Sequence, residues 1–517
     1  MGGLTPARRW GAGDGVPPGR TLGQVIEGVT EVDPGRVAVV IDGVSTTYGG
    51  LDASIRHAAA ALRSAGVRPG WRIPLVDDAS LLSVATLVGA ARVGAATALM
   101  NPRLTADELG VLMEVAESAP IGVAGAAYAD LLRRAGQSVV LGLEELVPDR
   151  PPDEAPASEP DPREDAVVLF TSGTTGTPKA VPLPHSMVAS RIAAYSPTVE
   201  PTPAVALMCV PFVHIGGMLG LLVALAKGST TVVQTRFDAG GWLALVERHR
   251  VNTSFIVPTM LHRILDHPDF ATTDLSSLTA LTYGAAPAPP ELIRRAMDAL
   301  PGVALANTFG QTETLGSITL LGPGDHSAER LTSVGRPLPG VEVRIADPAT
   351  FETVPTGAVG ELWVKSDNSV IPDSQANDPS IPPGWFRTGD MVSEDAEGYL
   401  YPSGRLADTI NRGGEKFSPS EVEAVVRSHP AVRDVAVVGY PDPEMGHRVG
   451  AAAVVRQPVT AEELREFCAG RIAGFKIPEQ LVIVEEIPYN DFGKVDRKVL
   501  RTRFGGADRA SAAGGSG

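Results

Sequence analysis

The sequence predicts an α/β protein with a large N-terminal domain of β-sheets layered with helices, a β-rich subdomain and a small α+β C-terminal domain. Three observations support this fold class. Strand-like and helix-like segments alternate from about residue 36 to residue 310, which is typical of sheets covered by helices. From about Val341 the segments become β-rich, and a block at 409–505 starts again with helix, strand, strand and helix. At 517 residues the chain is also too long for one ordinary core.

The alternation begins near residue 36. Residues 36–50 predict two short strands around Asp42-Gly43, because Asp-Gly is a favoured hairpin turn. Apolar residues at helical spacing follow, and Gly66 ends this helix. The next predicted elements are strands at 73–76 and 96–100 and helices from about Leu81 and at 105–118. Residues 150–165 are rich in proline and acidic residues and predict a surface linker.

The composition excludes several classes of protein. A hydrophobic fraction of 44% and a charged fraction of 20% are those of a globular chain. The net charge of −16 argues against a nucleic-acid partner, because phosphate backbones need a clustered basic surface. Cys209 and Cys468 are too few for a disulfide framework. No stretch is apolar for long enough to be a transmembrane segment, and no secretory signal is present, so a cytoplasmic location is expected.

A loop rich in glycine and hydroxyl side chains follows the strand predicted at 166–170. Residues 171–179 read TSGTTGTPK. Glycines allow backbone N–H groups to turn toward a ligand, and the hydroxyls and the lysine add donors, so the loop suits a polyphosphate. It is not a Walker A loop, since no Gly-Lys-Ser/Thr ends it, and it is not a GxGxxG fingerprint. A flexible surface loop is the alternative from composition alone.

The complete loop sequence resembles the signature of the adenylate-forming superfamily, which contains acyl-CoA synthetases, peptide-synthetase adenylation domains and beetle luciferases. Later segments are similar to further motifs of this superfamily, in the same order: 283–287, 307–313, 387–390, 403–405 and 491–494. The resemblance covers about residues 36–505. It implies an N-terminal domain at 1–404, a hinge at 405–408 and a mobile C-terminal domain at 409–505, and the remaining 506–517 are predicted to be a disordered tail.

The resemblance implies a reaction in which ATP and Mg²⁺ turn a carboxylic acid into an acyl-adenylate and coenzyme A then accepts the acyl group. Lys494 would carry the adenylation step, because a cation between two anionic reactants offsets developing charge. Lys179 is the other candidate catalytic lysine. Glu313 would be the metal ligand, with a threonine hydroxyl of the 171–175 loop assisting. Taken alone, Thr312 and Glu313 are more typical of a helix start.

The residues implied to bind ATP lie in these motifs. They are Thr171, Ser172, Gly173, Thr174, Thr175, Lys179, Gly284, Ala285, Ala286, Asn307, Thr308, Phe309, Gly310, Thr312, Asp390 and Arg405. Phe309 would stack on adenine, where members of the superfamily usually carry tyrosine. Asp390 would accept hydrogen bonds from the ribose hydroxyls, and Arg405 would contact ribose and phosphate.

The second half-reaction is implied to need a rotation of the C-terminal domain. The hinge position is Ala407, where Asp or Lys is usual in the superfamily. The sequence therefore departs from the superfamily here, because a charged side chain that could control the hinge is missing. Gly413 and Gly414 would line a tunnel for the pantetheine arm of coenzyme A. A Gly-Gly hairpin turn is the alternative for this pair.

The segment 211–218 resembles the part of the superfamily that lines the acyl pocket. His214 would lie near the carboxylate, and Gly216 and Met218 would contact the acid together with Gly284 and Gly310. Residues 211–218 contain no aspartate for a substrate ammonium, so an amino acid is disfavoured. Small residues at Gly216, Gly217, Gly284 and Gly310 predict room for a bulky apolar, ring-bearing or medium-to-long-chain acid.

Three other functions remain open from the sequence. An acyl-AMP ligase would load the pantetheine of a carrier protein instead of free coenzyme A, and it would form adenylate without consuming CoA. An inactive nucleotide-binding or scaffold protein would be expected to lack Lys494, Glu313 or Asp390, and all three are present. A luciferase-like oxygenase is compatible with the motifs, but no residue requires it.

Overall fold

A computed structural model describes residues 21–143, 160–172, 178–195, 204–489 and 495–513. Contacts divide the chain into two compact units. The first contains residues up to Leu331 together with 337–342 and 365–386, and the second contains 332–336, 343–364 and everything from Arg387. The second unit therefore joins the β-rich segments to the C-terminal block. The domain boundaries at 404 and 409 stay a prediction, because packing contacts alone do not define a hinge.

The described strands alternate with helices along most of the chain. In chain order they are β1 (Val37–Ile41), β2 (Val44–Thr47), β3 (Arg72–Val76), β4 (Ala96–Met100), β5 (Ile121–Ala124), β6 (Val139–Gly142), β7 (Asp165–Ser172), β8 (Pro178–Pro184), β9 (Val205–Met208), β10 (Thr230–Val233), β11 (Thr253–Ile256), β12 (Ala280–Gly284), β13 (Ala304–Gln311), β14 (Gly316–Leu321), β15 (Arg336–Pro337), β16 (Glu342–Ala346), β17 (Gly360–Lys365), β18 (Trp385–Glu394), β19 (Leu400–Arg405), β20 (Ile410–Arg412), β21 (Glu415–Phe417), β22 (Val432–Asp442), β23 (Gly446–Val455) and β24 (Gln480–Ile483).

The described helices connect these strands. They are α1 (Glu27–Val32), α2 (Tyr48–Ser64), α3 (Leu81–Arg92), α4 (Ala106–Val115), α5 (Ala129–Arg134), α6 (His185–Tyr195), α7 (Ile215–Ala226), α8 (Ala239–His249), α9 (Pro258–Leu265), α10 (Pro290–Ala299), α11 (Asp373–Ala376), α12 (Pro419–Arg427), α13 (Ala461–Cys468) and α14 (Arg497–Ala513). Several begin at the side-chain caps that the sequence offers: Ser80, Thr105, Ser418 and Thr460 each accept a backbone hydrogen bond in the first turn.

The first unit is built on two largely parallel sheets. One has the order β6-β5-β3-β4-β7-β8, in which only the edge strand β8 is antiparallel to its neighbour. The other has the order β15-β14-β13-β12-β11-β9-β10-β1-β2, with a parallel centre from β13 to β1. The helices between parallel strands bury the apolar faces of these sheets, as crossover connections require.

The second unit contains two smaller sheets. The order of one is β16-β17-β18-β19, and the other runs β21-β20-β23-β22 with β24 parallel to β23. Val432 to Val455 form a long hairpin through β22 and β23. Helices α12 and α13 pack on one apolar cluster that includes Val422 and Leu464, and α14 packs Leu500 and Phe504 into another.

The α/β fold class predicted from the sequence is confirmed, with differences at element ends. Asp42 and Gly43 form the predicted turn, both with positive φ. Residues 171–172 and 178–179, predicted as loop, extend β7 and β8 because the two strands pair across them. Helix α14 is described as far as Ala513, and the disorder predicted from residue 506 stays a prediction. Residues 514–517 and most of the predicted linker, 150–159, lie outside the described residues.

His185, at the start of α6, is buried completely inside the first unit. The backbone N–H of Leu22 donates a hydrogen bond to its Nδ1 over 3.4 Å. Burial lowers the pKa of the imidazole from 6.5 to about 4. Because the folded pKa is below the unfolded value, the unfolded state binds more protons between pH 6.5 and 4, and stability falls as the pH falls through this window.

We expect His185→Asn to weaken this acid sensitivity. Asparagine retains an acceptor for Leu22 but does not titrate. Between pH 7 and pH 5 the free energy of unfolding of the wild type should fall by about 2 kcal/mol more than that of the variant. Urea unfolding at the two pH values measures the difference. Burial raises the pKa of Asp77 to about 6, an opposite effect that cancels in the comparison. Equal falls in the two proteins would contradict the assignment.

Candidate active site

Several of the predicted site residues of the first unit follow the carboxyl ends of parallel strands. Thr171 lies near the end of β7, Gly284 ends β12, and Glu313 comes two residues after β13. His214 follows β9 and occupies the N-cap position of α7. In open α/β sheets the carboxyl ends of the strands are the usual place for ligand binding. The topology therefore places motifs that are far apart in sequence on the side of the sheets where a site is expected.

The two ends of the predicted phosphate loop are held by the hairpin of β7 and β8. Thr171 is directly opposite Lys179, and Ser172 is opposite Pro178. The Lys179 side chain is exposed and Thr171 is half-buried. Gly173, Thr174 and Thr175 lie outside the described residues, as does the side chain of Ser172. The described part of the hairpin thus places one hydroxyl and one cation at the mouth of the loop.

Glu313 lies at the tip of a hairpin turn between β13 and β14, not at the start of a helix. Gln311 pairs with Gly316, which closes the turn. The Thr314 hydroxyl accepts a hydrogen bond from Gln311 N over 2.9 Å and lies 2.8 Å from the Gly316 carbonyl. The Glu313 carbonyl accepts from Val370 N over 2.7 Å. The glutamate is therefore fixed by its main chain from two directions.

The structure brings Thr171 and Glu313 together although 142 residues separate them. Thr171 Oγ1 donates to Glu313 Oε1 over 3.4 Å. Mg²⁺ in nucleotide sites is usually held by one or two carboxylates together with phosphate oxygens and water, so this pair fits the ion chemically. Among the described residues no group of three or more His, Cys, Asp and Glu side chains is placed to hold a metal ion.

Arg191, on α6, was not singled out by its sequence context, and its side chain reaches the Glu313 turn. Its Nε donates to the Leu315 carbonyl over 3.0 Å, and Nη2 donates to the carbonyls of Thr314 and Ser317. Only 4% of the residue is exposed. No motif marks this arginine, because it acts across the fold on main-chain atoms of another segment.

The predicted adenine segments form neighbouring strands. Gly284 is paired with Thr308, and Phe309 is half-buried on the same strand as Asn307. Ala285 has a φ of 65°, a left-handed conformation that is uncommon for a residue with a side chain and is often found at functional sites. Behind the turn, the Tyr283 hydroxyl is 3.2 Å from His326 Nε2. These contacts fix the turn at 284–286 beside the segment 307–310.

In the second unit, Asp390 and Arg405 form an ion pair on adjacent strands. They are cross-strand partners in β18 and β19, and Arg405 Nε is 2.9 Å from Asp390 Oδ1. The Asp390 backbone N–H donates to Thr388 Oγ1 over 3.0 Å, and the Thr388 hydroxyl donates to the Leu362 carbonyl. The two residues predicted to bind the ribose and phosphate thus lie together, with a buried carboxylate and a half-exposed guanidinium.

The small residues predicted to make room for the acid have different surroundings. A Cβ on Gly217 would lie 2.2 Å from the Pro211 carbonyl oxygen, and one on Gly284 would lie 2.2 Å from that of Thr308. These glycines allow close backbone packing instead of opening space. At Gly216 a Cβ would meet the ring of Phe255 at 3.1 Å. The Phe255 ring therefore packs closely on Gly216, which lies on α7 between His214 and the buried Met218, so the argument from space is not supported at any of these three glycines.

Gly310 is the tightest of these positions, and we expect Gly310→Ala to destabilise the protein. A Cβ there would be 1.9 Å from the Gly316 oxygen and 2.8 Å from Ser317 Cα, and backbone atoms cannot move away cheaply. The expected loss is about 3 kcal/mol of unfolding free energy, measured by urea denaturation. The control is Gly220→Ala on α7, where a Cβ meets no described atom within 4 Å. Similar stabilities for the two variants would contradict the packing.

The backbone conformation explains why residues 413 and 414 are both glycine. Arg412 pairs with Glu415, and the two glycines have φ values of 61° and 95°, as a tight hairpin turn requires. The hairpin alternative is therefore what forms, and the tunnel stays a prediction.

At the predicted hinge Ala407 is exposed, and the neighbouring Asp408 binds Arg501 over 2.6 Å. Lys494 lies outside the described residues, directly before Val495, which bridges to Tyr489.

Comparison with known proteins agrees with this architecture. The chain matches the AMP-binding enzyme family over residues 26–371 and the C-terminal domain of AMP-binding enzymes over residues 421–494. A feruloyl-CoA synthase from an Amycolatopsis species is 34% identical over 493 residues, which is 92% of this chain and 97% of the relative.

Two solved structures are similar over nearly their whole length. The amide bond synthetase McbA from Marinactinospora thermotolerans has 32% identity and a TM-score of 0.83, with 93% of this chain and 99% of that chain covered. The o-succinylbenzoate coenzyme A synthetase from Bacillus subtilis, in complex with ATP and a magnesium ion, has 27% identity and a TM-score of 0.80, with 92% and 99% covered.

The two-unit α/β fold and the matches to both family models define an adenylate-forming enzyme. The chain belongs to the AMP-binding enzyme family, in the acyl-CoA synthetase branch of the adenylate-forming superfamily. None of the helices in the described part of the chain combines the length and apolar character needed to cross a membrane.

Proposed function

We propose that the chain is an AMP-forming acid–thiol ligase, an acyl-CoA synthetase. It converts ATP and a carboxylic acid into an acyl-adenylate and pyrophosphate, and then transfers the acyl group to the thiol of coenzyme A with release of AMP. The contact of 3.4 Å between Thr171 Oγ1 and Glu313 Oε1 carries this proposal. It joins a loop suited to phosphates to a carboxylate suited to Mg²⁺, which is the pair of groups that a metal-bound triphosphate needs.

The role proposed for each residue follows from the charge of its side chain. Magnesium, when bound, would screen the negative charge of the phosphates. Glu313 is its proposed protein ligand, and Thr171 orients that carboxylate. Asp390 and Arg405 are assigned to the ribose and the α-phosphate. Lys494 is assigned to the charge that develops when the acid carboxylate attacks the α-phosphate.

The acid is proposed to be ring-bearing. The Phe255 ring packs against Gly216, so an aromatic side chain lies beside the segment 211–218 that is predicted to line the acyl pocket. The helix that carries Gly216 is apolar throughout, from Ile215 to Ala226, which disfavours a charged acyl chain. The 34% identity to a feruloyl-CoA synthase supports the same class of acid. His214, at the N-cap of this helix, is assigned to the carboxylate end of the substrate.

An amine is the second candidate acceptor, because the chain is 32% identical to an amide bond synthetase. The pantetheine of a carrier protein is the third candidate acceptor, which the sequence analysis leaves open. Coenzyme A is preferred, because the feruloyl-CoA synthase is 34% identical to the chain and the amide bond synthetase 32%.

Pyrophosphate release from ATP and Mg²⁺, measured over a panel of phenylpropenoic, benzoic and fatty acids, tests the first step. We expect the aromatic acids to give the highest kcat/KM. Mass spectrometry of the product with coenzyme A, with an amine or with a loaded carrier protein tests the second step. Acid-dependent pyrophosphate release without a thioester to coenzyme A would exclude the proposed acceptor, and absence of release with every acid would exclude the function.

A cytoplasmic location is part of the proposal, since ATP and coenzyme A are the co-substrates. Both cysteines, Cys209 and Cys468, are buried free thiols, as a reducing compartment favours. Fractionation of the source cells with an antibody to the protein tests this location, and recovery in the secreted fraction would contradict it.

A further inference from the structure

We propose that Arg191 is a positioning residue for the metal site: its guanidinium holds the main chain of the Glu313 turn so that the carboxylate faces magnesium-bound ATP. The inference rests on the proposed function, since it assigns to Glu313 the role of metal ligand. It extends that function to a residue on α6 that lies outside the motifs. Arg191 is not proposed to touch the nucleotide.

The first argument is that the described contacts of the buried Arg191 guanidinium are all with this turn and with one aromatic ring. Only 4% of the residue is exposed. Within the described residues the partners of its guanidinium are the carbonyls of Thr314, Leu315 and Ser317 and the ring of Tyr195, whose centroid is 5.2 Å from Cζ. A buried guanidinium is costly unless its donors are satisfied, so burial here is sustained by those carbonyls.

The second argument is that the turn contains a strained main-chain conformation that Arg191 contacts. Leu315 has a φ of 48° and Gly316 a φ of 92°, so two successive residues are left-handed, and the first carries a branched side chain. Such a conformation costs about 1–3 kcal/mol and persists only where neighbouring groups enforce it. Arg191 binds the carbonyls before, within and after this left-handed pair, which is the pattern that enforces it.

The third argument is that Arg191 binds the residue next to Glu313 in the sequence. Glu313 immediately precedes Thr314, the first residue whose carbonyl Arg191 binds. Release of Thr314 and Leu315 would allow the turn to relax and would change the direction in which Glu313 leaves the main chain. Groups that orient a metal ligand without touching the metal typically change metal affinity about 10–100-fold when removed.

The test compares Arg191→Met, Arg191→Lys and Arg92→Met. Arg92 on α3 is the control: it donates to the Gly23 carbonyl over 2.9 Å and pairs with Asp52 over 2.9 Å, and neither partner belongs to the turn. Calorimetry without acid gives the dissociation constant of ATP in the presence of Mg²⁺ and in EDTA. We expect Arg191→Met to weaken binding with Mg²⁺ by about tenfold and binding in EDTA by less than about twofold. Arg191→Lys should recover part of the loss.

Hydrogen–deuterium exchange provides a readout that a general loss of stability would not produce. In Arg191→Met the amides of residues 311–317 should exchange faster, while those of β4 and β12 should keep the wild-type rate. Arg92→Met should leave the 311–317 amides and the Mg²⁺-dependent affinity unchanged. An equal loss of affinity with and without Mg²⁺, or an unchanged exchange rate at 311–317, would overturn the proposal.

The outcomes separate this inference from the proposed function. If the wild type shows no binding of ATP that depends on Mg²⁺ and no acid-dependent pyrophosphate release, the proposed function fails. If the wild type shows both and Arg191→Met matches it, only the role of Arg191 fails.

Discussion

Glu313→Gln should lower the rate of acid-dependent ATP–pyrophosphate exchange by about 10²–10³-fold while the protein stays folded. Glutamine has the same shape and can still accept the hydrogen bond from Thr171, so the hairpin turn should survive. It carries no negative charge, and Mg²⁺ prefers a carboxylate. The measurement is exchange of labelled pyrophosphate into ATP at several Mg²⁺ concentrations. The variant should need more Mg²⁺ to reach half of its own maximum.

Two variants control this experiment. Glu329→Gln removes an exposed glutamate that lies after β14 and should not change the exchange rate. Thr171→Val removes the hydroxyl that binds Glu313 and should give a smaller loss, since the carboxylate remains. If Glu313→Gln keeps a rate within about twofold of the wild type, the assignment of the metal ligand is wrong, because loss of a charged ligand should cost far more.

Lys494→Ala should separate the two half-reactions. The adenylation rate should fall by about 10²–10³-fold, because the transition state loses a cation placed between two anionic reactants. Formation of acyl-CoA from supplied acyl-adenylate has no attack on phosphorus, so it should fall by less than about tenfold. Pyrophosphate exchange measures the first step, and thioester formation from synthetic acyl-adenylate measures the second.

Lys498→Ala is the matched control for Lys494. Lys498 is four residues further along the chain, is exposed, and lies on α14, so it tests whether any lysine near this position has the same effect. It should keep both rates. If Lys494→Ala lowers the two rates equally, the lysine does not act specifically in adenylation and its proposed role is wrong.

The order of motifs in the sequence predicted much of what the structure and the comparisons confirm. Alternating strands and helices predicted the α/β class. They can be told apart because side chains on one face of a strand recur every two residues and those on one face of a helix every 3.6 residues. The string at 171–179 and the five later motifs predicted the superfamily. Local signals also placed hairpin turns correctly at 42–43 and, as the open alternative, at 413–414.

Local sequence was a poorer guide wherever a residue acts on a distant segment. Thr312 and Glu313 read as a helix start, but strand pairing between β13 and β14 makes them a hairpin tip. Gly284 and Gly310 were predicted to make room for substrate, whereas the close approach of Thr308 and Gly316 explains them.

The sequence by itself determined the superfamily, the types of side chain available for phosphate and metal, and the positions of most elements, since these depend on residues close together in the chain. Only the tertiary structure decided which of them meet. The contact of Thr171 with Glu313 and the support of the turn by Arg191 both depend on how the sheets and α6 pack in the first unit. Such contacts form between atoms more than 100 residues apart, where no local pattern specifies the distance.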